Sequence, residues 1–331
     1  MGDVAMTVPV IRAFVTAHPT VKITVLSKAF LKPLFDDIQN VTFYAADVTK
    51  KHKGVLGLYK LHRELKHIGI THVADLHNVL RSKILRMFFC FSGLKISSID
   101  KGRAEKKALT RIKNKVFKQL KTSHQRYADA FNELGFSVDL SNLKSIKKIA
   151  LSKDIVKITG EKTQQWIGIA PFATYTSKTY PFDLMEQVIA SLSKEYTLFL
   201  FGGKEDATVL EKLATNYSNT LSVAGKLDGF KKELNLISNL DVMLSMDSGN
   251  AHFAAMQQIP TFTLWGGTHP FAGFAPFHQP SANCMLPDLE KYPSIPCSIY
   301  GNKTCEGTKD AMRTITPITI IKKIKTVLEN T

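Results

Sequence analysis

Cysteine is scarce in this chain of 331 residues. The four cysteines are too few and too scattered for the framework of a disulfide-rich secreted protein, and their number suits a reducing cytosol. Cys297 and Cys305 lie close enough in sequence to pair or to share a metal ion. The chain has no Cys-x-x-Cys, however, and this disfavours a structural zinc site.

Long apolar runs are also missing. No stretch of 18 uncharged apolar residues occurs, so the sequence predicts no transmembrane helix. The opening residues, Met1 to Met6, lack the basic region and apolar core of a secretory signal. Apolar residues still make up 44% of the chain, enough for buried cores, and the length predicts about two domains.

Acidic residues are outnumbered, with 28 Asp and Glu against 44 Lys and Arg and a net charge of +16. Such a charge attracts polyanions over a long range: nucleic acid, anionic lipid or phosphorylated substrates. The bias is strongest between Lys101 and Arg126, which hold ten basic residues and one acid. Apolar residues recur there at helical spacing, so the segment is predicted to be either a solvated amphipathic helix or a helix resting on an anionic membrane.

The most informative stretch runs from Asp241 to Met256. It predicts a buried strand, a tight Asp-Ser-Gly turn and then a helix from about Asn250. A strand that feeds a helix in this way directs backbone N–H groups and the positive end of the helix dipole at one point, which suits a phosphate. The alternative is an ordinary capped turn between a strand and a helix.

Strands and helices alternate in both halves of the chain. The first half predicts strands at 21–26, 41–45, 71–76 and 94–99, and the second predicts strands at 166–170, 197–201, 221–224, 242–246 and 260–265. Short connections between such elements indicate parallel sheets covered by helices on both faces. The fold class is therefore α/β, and the two halves predict two similar domains.

Several motifs, in this order and spacing, carry a resemblance to a known family. They are Gly2-Asp3 with Pro9, Leu76-His77-Asn78 with Arg81, Pro171 with Ser177-Lys178-Thr-Tyr-Pro181, Gly225-Lys226-Leu227, Asp247-Ser248-Gly249 with His252, and Trp265-Gly-Gly-Thr268. The chain resembles the heptosyltransferases, inverting glycosyltransferases that include the ADP-heptose:lipopolysaccharide heptosyltransferases. The resemblance runs nearly end to end, although Tyr180 stands where the family has tryptophan.

The resemblance implies a GT-B fold, in which two Rossmann-like parallel-sheet domains face a cleft. The expected domains are an acceptor-binding domain at 1–155 and a nucleotide-sugar-binding domain at 160–315. A final helix at 316–330 is expected to pack back on the first domain. Members of the family begin with a strand just before the Gly-Asp pair, and this sequence lacks that strand.

The resemblance also implies roles for individual residues. Asp3 is expected to be the general base and Lys178 to pair with the diphosphate, since displacing a nucleoside diphosphate needs a base and positive charge. Two further sets are expected to bind substrates: Asp206, Leu227, Asp247, Ser248, Gly249, Asn250, His252 and Thr268 the donor, and His77, Asn78 and Arg81 the acceptor.

Simpler interpretations stand beside these roles. Asp3 is also suited to cap the following helix, Lys178 to be one more surface lysine, and His252 to be a core or capping histidine. Glu205 is nearly as good a ribose ligand as Asp206.

The implied substrates are a nucleotide-sugar donor and a lipopolysaccharide or glycolipid acceptor, used by a cytoplasmic enzyme that is peripheral on the anionic inner membrane. No metal or other cofactor is expected. One alternative is a non-catalytic protein that binds nucleotide-sugars or nucleic acid, but the basic runs lack the interleaved aromatic residues that stack on bases, so nucleic acid is not expected. Another is a nucleotide-sugar epimerase on the same two-domain plan.

Overall fold

The computed structural model describes residues 1–141, 144–146 and 148–330. Two compact units make up this part of the chain. The first consists mainly of Asp3–Arg103 and Lys121–Lys144, and the second of Ala104–Leu120 and the chain from Ser145 onward. The main boundary therefore lies earlier than the predicted 155–160, because Asn235 and Asn239 in the second unit hold the backbone of Ile149, Ala150 and Ser152.

Helices and strands alternate along both units. The helices are α1 (Gly2–Ala5), α2 (Thr7–Ala17), α3 (Gly54–His67), α4 (Leu80–Phe91), α5 (Arg103–Thr110), α6 (Ser123–Asn132), α7 (Lys153–Thr159), α8 (Phe182–Leu192), α9 (Ala207–Ala214), α10 (Phe230–Ile237), α11 (Gly249–Ala255) and α12 (Pro317–Glu329). The strands are β1 (Ile23–Ser27), β2 (Val41–Ala45), β3 (His72–Asp75), β4 (Lys95–Ser98), β5 (Trp166–Ala170), β6 (Thr197–Leu200), β7 (Thr220–Ser222), β8 (Val242–Met246), β9 (Thr261–Leu264) and β10 (Cys284–Met285). The predicted α/β class is confirmed.

The second unit is built on one parallel sheet of six strands, in the order β10-β9-β8-β5-β6-β7. Strands β5, β8 and β9 are buried along their whole length. Their near-continuous apolar sequences suit a sheet that is covered on both faces. The chain winds from β5 toward β7 on one side and from β8 toward β10 on the other, so a topological switch point lies between β5 and β8, where ligands of such sheets gather.

The strands of the first unit form two parallel pairs, β1 with β2 and β3 with β4. Parallel pairing agrees with the prediction. No described strand of this unit pairs with both β1 and β3, so the two pairs form separate two-stranded sheets. These strands are also mostly half-buried rather than buried. Helices α3 and α4 pack their apolar faces on both pairs.

The C-terminal helix α12 belongs to the second unit, where it packs on α8. Ile320, Ile324 and Leu328 recur every fourth residue and are buried in the same core as the apolar face of α8. The helix was predicted to pack on the first domain, and its apolar stripe is covered instead within its own unit.

The predicted basic helix between Lys101 and Arg126 is also different in the structure. Helix α5 ends at Thr110, and the residues that follow fold within the second unit, with Leu109 and Leu120 buried beside Ala272. Lys115 donates to the backbone carbonyls of Pro293, Ser294 and Pro296 at 2.7 to 3.2 Å. Leu109 and Leu120 are thus covered by their own chain, whereas Ile112, Val116 and Phe117 of the same segment are exposed.

Every helix in the described ranges is too short or too polar to cross a bilayer.

Candidate functional site

Three polar side chains meet at the switch point of the second unit. Lys178 lies in a short 3-10 turn after β5, Asp247 directly follows β8, and Thr268 follows β9. The Lys178 ammonium is 2.9 Å from Oδ2 of Asp247, and the Thr268 hydroxyl donates to the same oxygen at 2.9 Å. Asp247 and Thr268 are buried, and the Lys178 side chain is 14% exposed. The cluster is therefore an ordered and mostly buried ion pair with one additional hydroxyl donor.

A close approach of two other segments fixes the position of Lys178. The N–H of Gly267 donates to the carbonyl of Ser177 at 2.8 Å, and the Ser177 hydroxyl donates to the carbonyl of Gly301 at 2.6 Å. A Cβ at Gly301 would lie 2.3 Å from Cδ of Lys178, and Gly301 has φ of 82°. Only glycine suits this position, because a side chain would displace the lysine.

A disulfide between Cys297 and Cys305 closes the loop that contains Gly301. Of the two possibilities left open by the sequence, pairing is the one observed. Within the described residues no group of three or more His, Cys, Asp or Glu side chains is arranged to hold a metal ion.

The start of α11 carries four of the predicted donor residues. Ser248 precedes the helix in extended conformation, and its hydroxyl is 3.1 Å from that of Ser245 rather than capping the helix. The first backbone N–H groups of a helix have no partner within the helix itself, and here they belong to Gly249, Asn250 and the residues after them. His252 is buried on this helix, as the core interpretation requires.

Asp206 and Leu227 lie on the other side of β5, after β6 and β7. The Asp206 carboxylate accepts the N–H of Gly203 at 2.8 Å and so closes the turn at the end of β6. Leu227 is half-buried, whereas Glu205 is exposed. All four loops of the predicted donor residues thus follow strands of one sheet, at the edge where the carboxyl ends of its strands lie.

Glu233 on α10 is a half-buried acid that the sequence did not single out. Burial raises the pKa of Glu233 from 4.5 to about 7. The folded protein therefore binds this proton more tightly than the unfolded chain does, and the carboxyl group costs stability increasingly as the pH rises from about 4.5 through 7.

We expect Glu233→Gln to stabilise the protein at pH 8 by about 1 to 2 kcal/mol and at pH 5 by only about a quarter of that amount. The amide keeps the shape of the side chain but never ionises. Urea unfolding midpoints at the two pH values measure this, with the exposed Glu290→Gln as the control that changes neither. An equal gain at both pH values would mean that ionisation of Glu233 is not the cause.

In the first unit, Asp75 organises the loop of the predicted acceptor residues. Its Oδ1 accepts the N–H groups of His77 at 3.0 Å and Asn78 at 2.8 Å, and its Oδ2 lies 3.1 Å from Nε of Arg86. Asn78 has φ of 44° and donates its side-chain amide to the carbonyl of Ile99. Asn78 therefore has a structural role, whereas the side chains of His77 and Arg81 are exposed.

Asp3 lies within α1 with an exposed side chain. It does not cap the longer helix that follows, since Met6 precedes α2 and makes no side-chain cap. The Tyr127 hydroxyl donates to the Asp3 carbonyl at 3.3 Å. Burial and the nearby Arg103 lower the pKa of Lys101, and the carboxylates of Asp3 and Asp75 act in the opposite direction.

Asp75 and Lys101 were missed as candidates from the sequence. Asp75 is the last residue of β3, one position before the predicted loop, and this location at a carboxyl end was the signal that could have found it. Lys101 was not distinguished from the other basic residues of the segment that it begins.

Comparison with known proteins identifies the family of this chain. A profile of Glycosyltransferase family 9 (heptosyltransferase) matches residues 58–298, well over half of the chain. The lipopolysaccharide core heptosyltransferase OpsX of Haemophilus influenzae is 23% identical over 279 residues, which cover 82% of this chain and 77% of that protein.

Solved structures of the same kind share the fold. A family 9 glycosyl transferase from Veillonella parvula superposes with a TM-score of 0.75 at 18% identity, covering 100% of this chain and 95% of that one. The E. coli ADP-heptose lps heptosyltransferase II gives 0.67 at 17% identity, with 99% and 96% covered. The E. coli heptosyltransferase WaaC, solved with ADP-2-deoxy-2-fluoro heptose, gives 0.65 at 14% identity, with 100% and 96% covered. The fold is thus that of the GT-B heptosyltransferases. By its matched residues, the chain belongs to glycosyltransferase family 9, the heptosyltransferases, and is a glycosyltransferase.

Proposed function

We propose that this glycosyltransferase moves a heptose from ADP-heptose, with inversion, to a lipopolysaccharide core or a related glycolipid. The observation that carries the proposal is the cluster of Lys178, Asp247 and Thr268 at the switch point of the second unit. The names of relatives support the substrates: OpsX is a lipopolysaccharide core heptosyltransferase, and WaaC has been solved with ADP and with an ADP-heptose analogue.

On the donor side, Lys178 would bind the diphosphate. Its ammonium already lies against Asp247, and a diphosphate brings more negative charge than one carboxylate, so the lysine can be shared or transferred without rebuilding the site. The N–H groups of Ser248, Gly249 and Asn250 would add donors, with His252 on the same helix. Asp247 and Thr268 would meet the sugar.

The remaining donor contacts would come from the other side of β5. Asp206 would accept from the ribose hydroxyls, and Leu227 would flank the adenine. Asp206 already uses Oδ2 for the N–H of Gly203, which holds its carboxylate in one orientation.

The transfer itself would be a single displacement. Asp3 would take the proton of the acceptor hydroxyl, whose oxygen forms a bond to the anomeric carbon of the sugar as the bond to the diphosphate breaks and ADP leaves. One displacement at that carbon inverts its configuration. His77 and Arg81 would contact the acceptor, and Asn78 would hold their loop.

We also propose that no metal ion is required, because the Lys178 ammonium and backbone N–H groups supply the positive charge that the departing diphosphate needs. The acceptor implies a location at the cytoplasmic face of the inner membrane, with the enzyme associated peripherally and without a role in binding nucleic acid.

The test is a donor screen followed by product analysis, all in EDTA. ADP-heptose at a hundredfold excess over its Kd should stabilise the protein by about 2.7 kcal/mol, seen as a higher unfolding temperature, whereas UDP-, GDP- and dTDP-sugars should give smaller shifts. Incubation with heptose-deficient lipopolysaccharide should then yield an acceptor enlarged by one heptose with inverted anomeric configuration.

Three outcomes would contradict the proposal. Stabilisation by ADP-heptose without any transfer would indicate a binding protein. Conversion of the donor to an epimer would indicate a different reaction. Transfer that is lost in EDTA and restored by a divalent cation would show that a metal ion is needed.

A further inference from the structure

We propose that the outer face of α3 and α4 in the first unit docks on a bilayer containing anionic phospholipid. We call this surface the α3–α4 face. The inference rests on the membrane association proposed above and names the part of the molecule that makes it. It is a different surface from the expected Lys101–Arg126 helix, because that helix ends at Thr110 and only Leu109 and Leu120 of its apolar residues are buried, in the second unit.

Large apolar side chains are exposed on this face. Leu56 is 85% exposed, Phe91 83% and Leu80 75%. Four more exposed apolar or aromatic side chains lie on or beside the same two helices: Val55, Tyr59, Ile68 and Met87. A single exposed leucine is ordinary, but a group of seven along two neighbouring helices marks an interaction surface.

The two helices present these residues on one side. Their inner faces, which include Leu58, Leu61 and Leu85, are buried in a common core over the strands, so the opposite faces point outward together. The Tyr59 ring meets the Phe88 ring edge-on at 5.5 Å, which joins the two outer faces.

The charge of the face complements an anionic surface. Only two acids, Glu64 and Asp75, occur between Lys50 and Phe91. Glu64 is paired with Lys51 at 2.8 Å and accepts a hydrogen bond from Tyr44, and these contacts lower the pKa of Glu64 to about 2. The buried Asp75 is paired with Arg86. Seven basic side chains are exposed around the apolar ones: Lys51, Lys53, Lys60, Arg63, Lys66, Arg81 and Lys83. Apolar residues among exposed cations are typical of surfaces that bind anionic bilayers.

A groove of about 960 Å³ opens between the C-terminal ends of the two helices. Aromatic rings of Tyr59, Phe88 and Phe91 line it, together with the basic Arg63 and Lys66. His62 is 6% exposed at this groove, with Nε2 2.9 Å from the Ser92 hydroxyl and with no partner for Nδ1 among the residues described. The groove therefore offers apolar walls for acyl chains and cations for a phosphate.

The location of the face fits a lipid-linked acceptor. Leu80 and Arg81 are the first residues of α4, directly after the loop of His77 and Asn78. A bilayer bound to the α3–α4 face would hold a glycolipid beside this loop.

Co-sedimentation with vesicles tests the inference without any sugar transfer, so failure of docking and failure of the proposed reaction are distinguished. Wild-type protein should bind vesicles of phosphatidylglycerol and phosphatidylethanolamine and bind pure phosphatidylcholine at least tenfold more weakly. Leu56→Ser with Phe91→Ser should reduce binding to the anionic vesicles about tenfold or more, because two deeply inserting side chains are lost. Arg63→Glu with Lys66→Glu should reduce it by at least as much.

Matched control variants distinguish an effect of the α3–α4 face from an effect of overall hydrophobicity or net charge. Ile318→Ser, at a side chain 77% exposed on α12, should leave binding unchanged. Lys157→Glu with Lys322→Glu, two exposed lysines of the second unit, changes the net charge by the same amount and should have less than a threefold effect.

Equal losses in the two charge variants would overturn the inference, as would wild-type binding by the Leu56→Ser/Phe91→Ser protein. A stable dimer in ultracentrifugation that this same variant dissociates would also overturn it, because a second copy would then cover the face.

Discussion

Lys178→Ala is expected to lower the rate of sugar transfer by about 10²- to 10³-fold, the loss typical when one group that stabilises developing negative charge is removed. As ADP departs, negative charge grows on its diphosphate, and Lys178 is the cation held at the switch point of the donor-binding sheet. The measurement is kcat with ADP-heptose and a heptose-deficient acceptor. Exposed Lys194→Ala, at the end of α8, is the matched control and should remain within twofold of wild type.

A second variant separates charge from folding. Removing Lys178 leaves the buried Asp247 without its cation, which is destabilising by itself. Lys178→Gln has an amide that can still donate to Asp247, so it should lower the unfolding temperature less than Lys178→Ala does while losing most of the activity. Turnover within threefold of wild type in both variants would remove Lys178 from the mechanism.

The side chain of Lys178 is held closely at its stem and at its ammonium group. Gly301 touches the aliphatic stem of the lysine so closely that a Cβ there would overlap it, and Asp247 holds the ammonium from the other end. The loop of Gly301 is closed by the Cys297–Cys305 disulfide and tied to Ser177. The absence of a side chain at Gly301 therefore leaves the room that the lysine stem occupies.

The sequence predicted the sheet of the second unit well, because its strands are apolar on both faces and stand out as continuous runs between turns. Strand β10 was missed, since two residues at a sheet edge carry no recognisable pattern. Helical periodicity in the basic segment after Lys101 predicted one continuous apolar side. The helix ends at Thr110, however, so Leu109 and Leu120 pack beside Ala272 in the second unit while Ile112 and Val116 are exposed.

The candidate site was predictable only in part. The motifs around Lys178, Asp247 and Thr268 identified those residues one by one, but their contact arises because β8 lies beside β5 and β9 beside β8, an order that alternating patterns do not specify. Gly301 follows Lys178 by more than a hundred residues in a loop without secondary structure, so no local signal connected the two. Asp75 and Lys101 could be recognised as candidate site residues only from the structure, in which β3 and β4 pair side by side.

Asp3→Asn is expected to lower kcat by about 10²- to 10⁴-fold, the range of a lost general base, while the KM for ADP-heptose changes little. Asparagine has the shape of aspartate but cannot take the proton of the acceptor hydroxyl. The backbone anchor from Tyr127 to the Asp3 carbonyl is kept, and the side chain is exposed on α1, so the fold should tolerate the change. Steady-state kinetics with each substrate varied in turn measure the effect.

Exposed Glu133→Gln, which removes a carboxylate from the same unit, is the control and should retain full activity.

The relative changes in kcat and KM decide what Asp3 does. A change confined to the KM of the acceptor would make Asp3 a binding residue, and another group would then be the base. Asp75 is the nearest alternative in the same surroundings, because both Asp3 and Asp75 interact electrostatically with Lys101. Because Asp75 is buried and paired with Arg86, and already accepts two backbone N–H groups, it is poorly placed to take a proton. A large loss of kcat in Asp3→Asn, with the heat stabilisation by ADP-heptose unchanged, would therefore assign proton transfer to Asp3 and to the chemical step.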